Sequence, residues 1–111
     1  MIMKDKKNSR KTDNLVYRQL EEVIGCKWSV SVLKAIADNV TRPGELERHI
    51  EGISKKVLSE RLRKLTDYGL LQKNAFAEVP PRTEYSLTEN GKKLICIIDQ
   101  VKTLDMEIKN A

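Results

Sequence analysis

The sequence predicts a mainly α chain with one small β-hairpin, an α+β fold built around one core. Three observations predict it. Apolar residues recur at helical spacing in five separate stretches, the stretch after Gly69 switches to a period of two, and 111 residues leave room for a single domain. The composition, 40% hydrophobic and 33% charged, is that of a globular chain, and a 5% aromatic share argues against a base-stacking surface built from rings.

The first helix is expected to start at Asp13, a suitable N-cap, and to carry Leu15, Val16, Leu20, Val23 and Ile24 until Gly25 stops it. Residues 1–12 then read as a basic flexible tail ahead of a domain over 13–111. Residues 1 to 20 hold six cations (Lys4, Lys6, Lys7, Arg10, Lys11, Arg18) against Asp5 and Asp13, hence four of the five net positive charges. Such a tail either lies along a polyanion or is simply solvated. A second helix, Trp28 to Asp38, is apolar on two sides through Trp28, Val32 and Ile36 and through Val30, Leu33 and Ala37, the pattern of a helix buried nearly all round. After a break at Asn39 and Val40, Pro43 fits the first turn of a short third helix that buries Leu46 and Ile50 and stops near Gly52.

Ser54 caps a fourth helix with Leu58, Leu62 and Leu65 as its buried stripe and Gly69 past its end. At 100° per residue the opposite face carries Lys56, Ser59, Glu60, Arg63 and Asp67, flanked by Lys55 and Lys64. Glu60 and Lys64 are also spaced for an i, i+4 pair on an ordinary solvated face. Two strands follow, Leu70 to Ala77 and Thr83 to Leu87, the second alternating Thr83, Tyr85 and Leu87 with Glu84 and Ser86. Between them Pro80 and Pro81 have no amide hydrogen to donate, so Glu78 to Arg82 must leave the ladder as a projecting loop. Thr88 caps a last helix in which Leu94, Ile97 or Ile98, Val101, Leu104 and Ile108 form an approximate heptad seam. That helix is long for the domain, and its surplus apolar length points to a second copy of the chain.

Helix, helix, helix, strand, wing, strand is the order of a winged helix-turn-helix, and the charges suit double-stranded DNA as partner. The fourth helix fits a major groove, with Ser54, Lys55, Lys56, Ser59 and Arg63 expected at phosphates and base edges. Arg82 at the wing tip, with Arg42 on the flank, is expected at an adjacent minor groove or phosphate. A homodimer is expected through Leu15, Leu20, Leu94, Ile98, Val101 and Leu104. The same face can instead serve a protein-binding module that takes an acidic partner and no DNA.

The residues also resemble the HxlR family of bacterial winged helix-turn-helix regulators. The matching segments are Lys27-Trp28, Arg42 with Glu45-Leu46, Gly52 through Leu58, Leu62 with Leu65, Gly69-Leu70, Val79-Pro80-Pro81, and Tyr85 through Thr88 with Gly91 and Leu94. The resemblance implies a homodimer on an inverted or direct repeat, paired through the first and last helices, with the fourth helix reading DNA; a repressor is the expected role. The chain departs from redox-responsive members, which resemble one another in a cysteine near the start of the first helix. Leu15 stands near that position here.

Other classes find little support. One histidine, His49, and two distant cysteines, Cys26 and Cys96, assemble neither a metal site nor a nucleophile with its base, so no enzyme and no cofactor are expected. Cys26 next to Lys27 is open to a redox role as well as to that of an inert thiol. Trp28 reads as a core or interface residue or as the wall of a pocket for a small effector. With no apolar run of membrane or signal length, the expected location is the cytoplasm.

Overall fold

The computed structural model describes the backbone of residues 3–111, with side chains from Asn14 onward. Its elements are α1 (Met3–Ile24), α2 (Lys27–Ala37), α3 (Pro43–His49), α4 (Lys55–Asp67), β1 (Leu71–Phe76), β2 (Arg82–Leu87) and α5 (Glu89–Lys109). The expected order of helices and hairpin is thus present, and the fold is a winged helix-turn-helix.

The largest difference is at the start. The backbone is helical from Met3, so Asp13 lies within α1 and not at its N-cap position. No glycine or proline interrupts the chain before Gly25, and the lysines and arginines there are good helix formers, which explains why the helix has no break near residue 12. The side chains of the expected basic arm, Lys4 to Lys11, lie outside the described residues.

The core is centred on α2, whose Val32, Leu33, Ala35 and Ile36 are buried among Val23 of α1, Leu46 of α3, the α4 stripe Leu58, Leu62 and Leu65, and Leu94 and Ile98 of α5. Strands β1 and β2 pair antiparallel from Leu71↔Leu87 to Phe76↔Arg82, leaving residues 77–81 as the loop. The wing is also tied to the segment before α3, because the Tyr85 amide donates to the Thr41 carbonyl at 2.9 Å.

One junction sets where the wing stands relative to α4. Gly69, at φ +76°, lets the chain reverse: its amide donates to Thr66 O and that of Leu70 to Leu65 O, both at 3.0 Å, closing α4 in a Schellman turn. Thr88 then ties the start of α5 to the same turn, donating its hydroxyl to Gly69 O at 2.6 Å and accepting from the Gly91 amide at 3.0 Å. Gly91 lies so close that a Cβ there would meet the Leu70 carbonyl oxygen at 2.2 Å, so only glycine fits.

This packing corrects part of the expected dimer seam. Leu94 and Ile98 are 3% and 4% exposed inside the subunit's own core, because the first half of α5 packs on α2 and β2. Leu20 is half-buried against the same core. Leu15, Val101 and Leu104 stay open, at 57%, 49% and 53%, and are joined by Val16 and Ile97.

Candidate nucleic-acid interface

Helix α4 divides into three stripes with separate tasks. Leu58, Leu62 and Leu65 face the core, and Ser54 caps the first turn by accepting from the Val57 amide at 3.1 Å. Lys55, Lys56, Ser59 and Arg63 are exposed, as is Ser54 itself. Among the described residues no carboxylate pairs with Lys55, Lys56 or Arg63. Pro43 and Gly44 at the start of α3, with Glu47 and Arg48, share a surface groove with Lys55 and Ser59.

The third stripe faces α1. The Glu22 carboxylate accepts from Lys64 Nζ at 2.5 Å and from Tyr68 Oη at 2.9 Å. The lysine hydrogen bond, then that of the tyrosine, holds the Glu22 carboxyl below its ordinary range, and the same contact raises the Lys64 ammonium. Lys64 therefore turns to α1, and the pair with Glu60 that its spacing allows is not made.

The wing differs from expectation. Arg82 opens β2 and does not stand at the tip; its guanidinium lies 4.3 Å over the Phe76 ring, its cross-strand partner. Nη1 donates to Glu78 Oε1 at 3.1 Å, and Nε lies 3.0 Å from Glu84 Oε2 as an ion pair without hydrogen-bond alignment. Arg42, at the N-cap of α3, reaches the same Glu84 oxygen at 3.4 Å. The tip itself is Glu78, Val79, Pro80 and Pro81, all exposed, with no cation among them.

A match to the family model for HxlR-like helix-turn-helix proteins covers residues 23–111. The chain belongs to that family. An uncharacterised HTH-type transcriptional regulator of Methanothermobacter thermautotrophicus is 43% identical over 76 residues, 68% of this chain and 58% of that protein's length. The chain thus spans under two thirds of that relative. YtcD, an uncharacterised HTH-type transcriptional regulator of Bacillus subtilis strain 168, is 34% identical over 83% of this chain and 73% of its own. A solved structure from Enterococcus faecalis V583, provisionally described as a transcriptional regulator of the MarR family, matches 91% of this chain and 88% of its own at TM-score 0.76 and 31% identity.

Three further residues of this HxlR-like chain were singled out by sequence. Cys26 is the N-cap of α2. Burial raises its thiol, but the hydroxyl and amide of Ser29, the Trp28 amide and the Arg61 charge outweigh burial and leave it below its ordinary value, although no N–H is aligned as a cap on the sulfur. Cys96 is exposed on α5. Trp28 is half-buried, with Lys27 Nζ 5.0 Å over its ring, and lines a shallow hollow whose other walls include Lys34, Asp38, His49 and Glu51. No described helix is long and apolar enough to cross a membrane. The carboxylates that occupy Arg82, Arg42 and Lys64 were missed from sequence; the one legible signal was the alternation that puts Arg82 and Glu84 on the same side of a strand.

Proposed function

We propose that the chain is a sequence-specific DNA-binding transcriptional regulator that acts as a homodimer and represses by occupying its operator. The observation that carries this reading is the exposed set Lys55, Lys56, Ser59 and Arg63, its cations without a carboxylate partner among the described residues, on a capped helix whose opposite face is locked into the core. A rigid helix of that width enters a major groove, its lysines neutralise phosphates, and Arg63, Lys56 and Ser59 supply donors to base edges. The helix-turn-helix names of the relatives support the same reading.

The apolar surface that α1 and α5 leave open supports the dimer in this reading. Leu15, Val16, Ile97, Val101 and Leu104 are too many large apolar side chains to stay in water on two neighbouring helices, and a second copy covers them with like against like. Two α4 helices then meet successive major grooves about 34 Å apart.

Titrating labelled genomic fragments with the protein at several salt concentrations tests DNA binding. Affinity is expected to fall by about 0.9 log units per log unit of salt for each phosphate neutralised. A flat salt response, or retention of an acidic protein surface in place of duplex, rejects the DNA reading in favour of a protein-binding module. For the dimer, the paired substitution Val101→Glu with Leu104→Glu should halve the mass seen by light scattering while leaving helix content intact. A parent chain that is monomeric at micromolar concentration removes that half of the proposal. Transcription in vitro from a bound promoter checks the direction of regulation.

A further inference from the structure

We infer that Glu84 masks charge on the DNA-facing surface: by holding Arg42, ahead of α3, and Arg82, the first residue of β2, it weakens sequence-independent binding to duplex DNA. The inference rests on the DNA-binding reading above and assigns a role within it. Glu84 Oε2 lies 3.0 Å from Arg82 Nε and 3.4 Å from Arg42 Nε, so one carboxylate faces two guanidinium groups that come from different elements. Glu78 takes the remaining side of Arg82 at 3.1 Å, and Phe76 stacks beneath it at 4.3 Å. Two arginines and two glutamates sum to no net charge.

The position of this cluster gives it a consequence for binding. Arg42 immediately precedes Pro43, which shares a groove with the α4 residues Lys55 and Ser59, while Glu84 belongs to the wing. The cluster therefore joins the two parts of the surface that would meet a duplex. Arg82 and Glu84 are half-buried, 27% and 28% exposed, so water screens their attraction less than it would on an open surface. A phosphate that recruits either arginine must compete with a carboxylate already in contact, and the carboxylate also repels the phosphate. Electrostatic, sequence-independent binding is set by the charge available to phosphates, so the cluster subtracts from it. Base-edge contacts from α4 are untouched, so the cluster weakens binding to every duplex, operator and random alike, through the same electrostatic contribution.

Glu84→Gln tests this, because the amide keeps the shape of the side chain and still accepts from arginine while losing the charge. Fluorescence anisotropy of the full chain on a short random-sequence duplex should show affinity raised by about 3- to 10-fold, with a salt slope steeper by about 0.9 to 1.8 as one or two phosphates are gained. Glu107→Gln is the charge-matched control. It adds the same unit of charge 18 residues beyond the start of α5, about 27 Å along the helix, and should change affinity by under about twofold. Circular dichroism monitors folding, and if Glu84→Gln does not fold, Glu78→Gln at the exposed tip should give a smaller gain of the same sign. Unchanged or weaker binding by the folded variant, or an equal gain in Glu107→Gln, overturns the inference alone. If neither parent nor variant binds any duplex, the DNA reading fails and this inference falls with it.

Discussion

Helix α4 and the wing both carry cations, yet the arginine each presents is held differently: Arg63 has no carboxylate partner among the described residues, and Arg82 has two. Lys55, Lys56 and Arg63 have no acidic partner among the described residues, whereas Arg82 and Arg42 are engaged by Glu78 and Glu84. Backbone geometry accounts for the contrast. On a strand, residues two apart share a face, so Arg82 and Glu84 come together, and the hairpin brings Phe76 beneath Arg82. On a helix, 100° per residue spreads charge over several faces, and α4 uses the separation to send Lys64 toward Glu22 and Lys56 and Arg63 outward. The number of basic residues in a segment is therefore a poor guide to the charge it presents; the periodicity of the segment and the acids on the same face decide it.

The sharpest break of this comparison is expected on the helix. Replacing Lys56 and Arg63 together by Ala should lower operator affinity by about 100-fold and erase sequence preference, since each base-edge contact is worth about 1–3 kcal/mol. Arg82→Ala should cost only about 2- to 3-fold on any sequence, because its charge is already compensated. Binding curves on cognate and scrambled duplexes separate the two. Equal losses from helix and wing would show that DNA releases Arg82 from Glu84 and that the asymmetry of the free protein does not survive binding.

The junction that holds wing and helix together comes next. Gly91→Ala puts a methyl group 2.2 Å from the Leu70 carbonyl oxygen, with Leu87 Cδ2 also close at 3.2 Å, so backbone must move. Overpacking of this kind costs about 1–3 kcal/mol, which for a chain of this size lowers Tm by about 5–15 °C. Thermal unfolding followed by circular dichroism measures it. A Tm within about 2 °C of the parent would mean that α5 slides off the turn at little cost and that Gly91 does not fix the wing.

Much of this was legible in the sequence where local chemistry alone decides. Ser54 and Thr88 announced helix starts, Gly69 announced a stop, and Pro80 with Pro81 excluded the loop from the ladder; each acts within a few residues of itself. Leu58, Leu62 and Leu65 likewise fixed which face of α4 points outward. What was not legible depends on partners far along the chain. Arg42 and Glu84 are 42 positions apart, as are Glu22 and Lys64, and nothing local distinguishes a paired cation from a free one. The seam of α5 was misread at Leu94 and Ile98 for a related reason. Periodicity shows that a helix has an apolar face, while only the packing shows whether that face is spent inside the subunit or left for another.

The smallest effect probes the third stripe of α4. Glu22 accepts from Lys64 and Tyr68, and its carboxyl is held below its ordinary value first by the lysine hydrogen bond and then by that of the tyrosine. Because the folded-state value lies below the unfolded one, the stabilisation is fully present above the unfolded carboxylate range, near about pH 4.3, and is lost as pH falls through the lower folded value. Lys64 sets the other limit, since its raised value means that the same contact fades as pH climbs through it. Glu22→Gln should therefore lower Tm slightly at neutral pH, and the gap to the parent should close on acidification. Both partners are about two-fifths exposed, so added salt should narrow the gap as well. A difference independent of pH and salt would mean that Glu22 acts through packing and not through charge. DNA affinity adds the contrast with the wing. Lys64 is turned toward α1, away from the outward stripe, so freeing it should raise random-duplex binding less than Glu84→Gln does; an equal or larger gain would place Lys64 among the phosphate contacts and widen the DNA-facing side of α4.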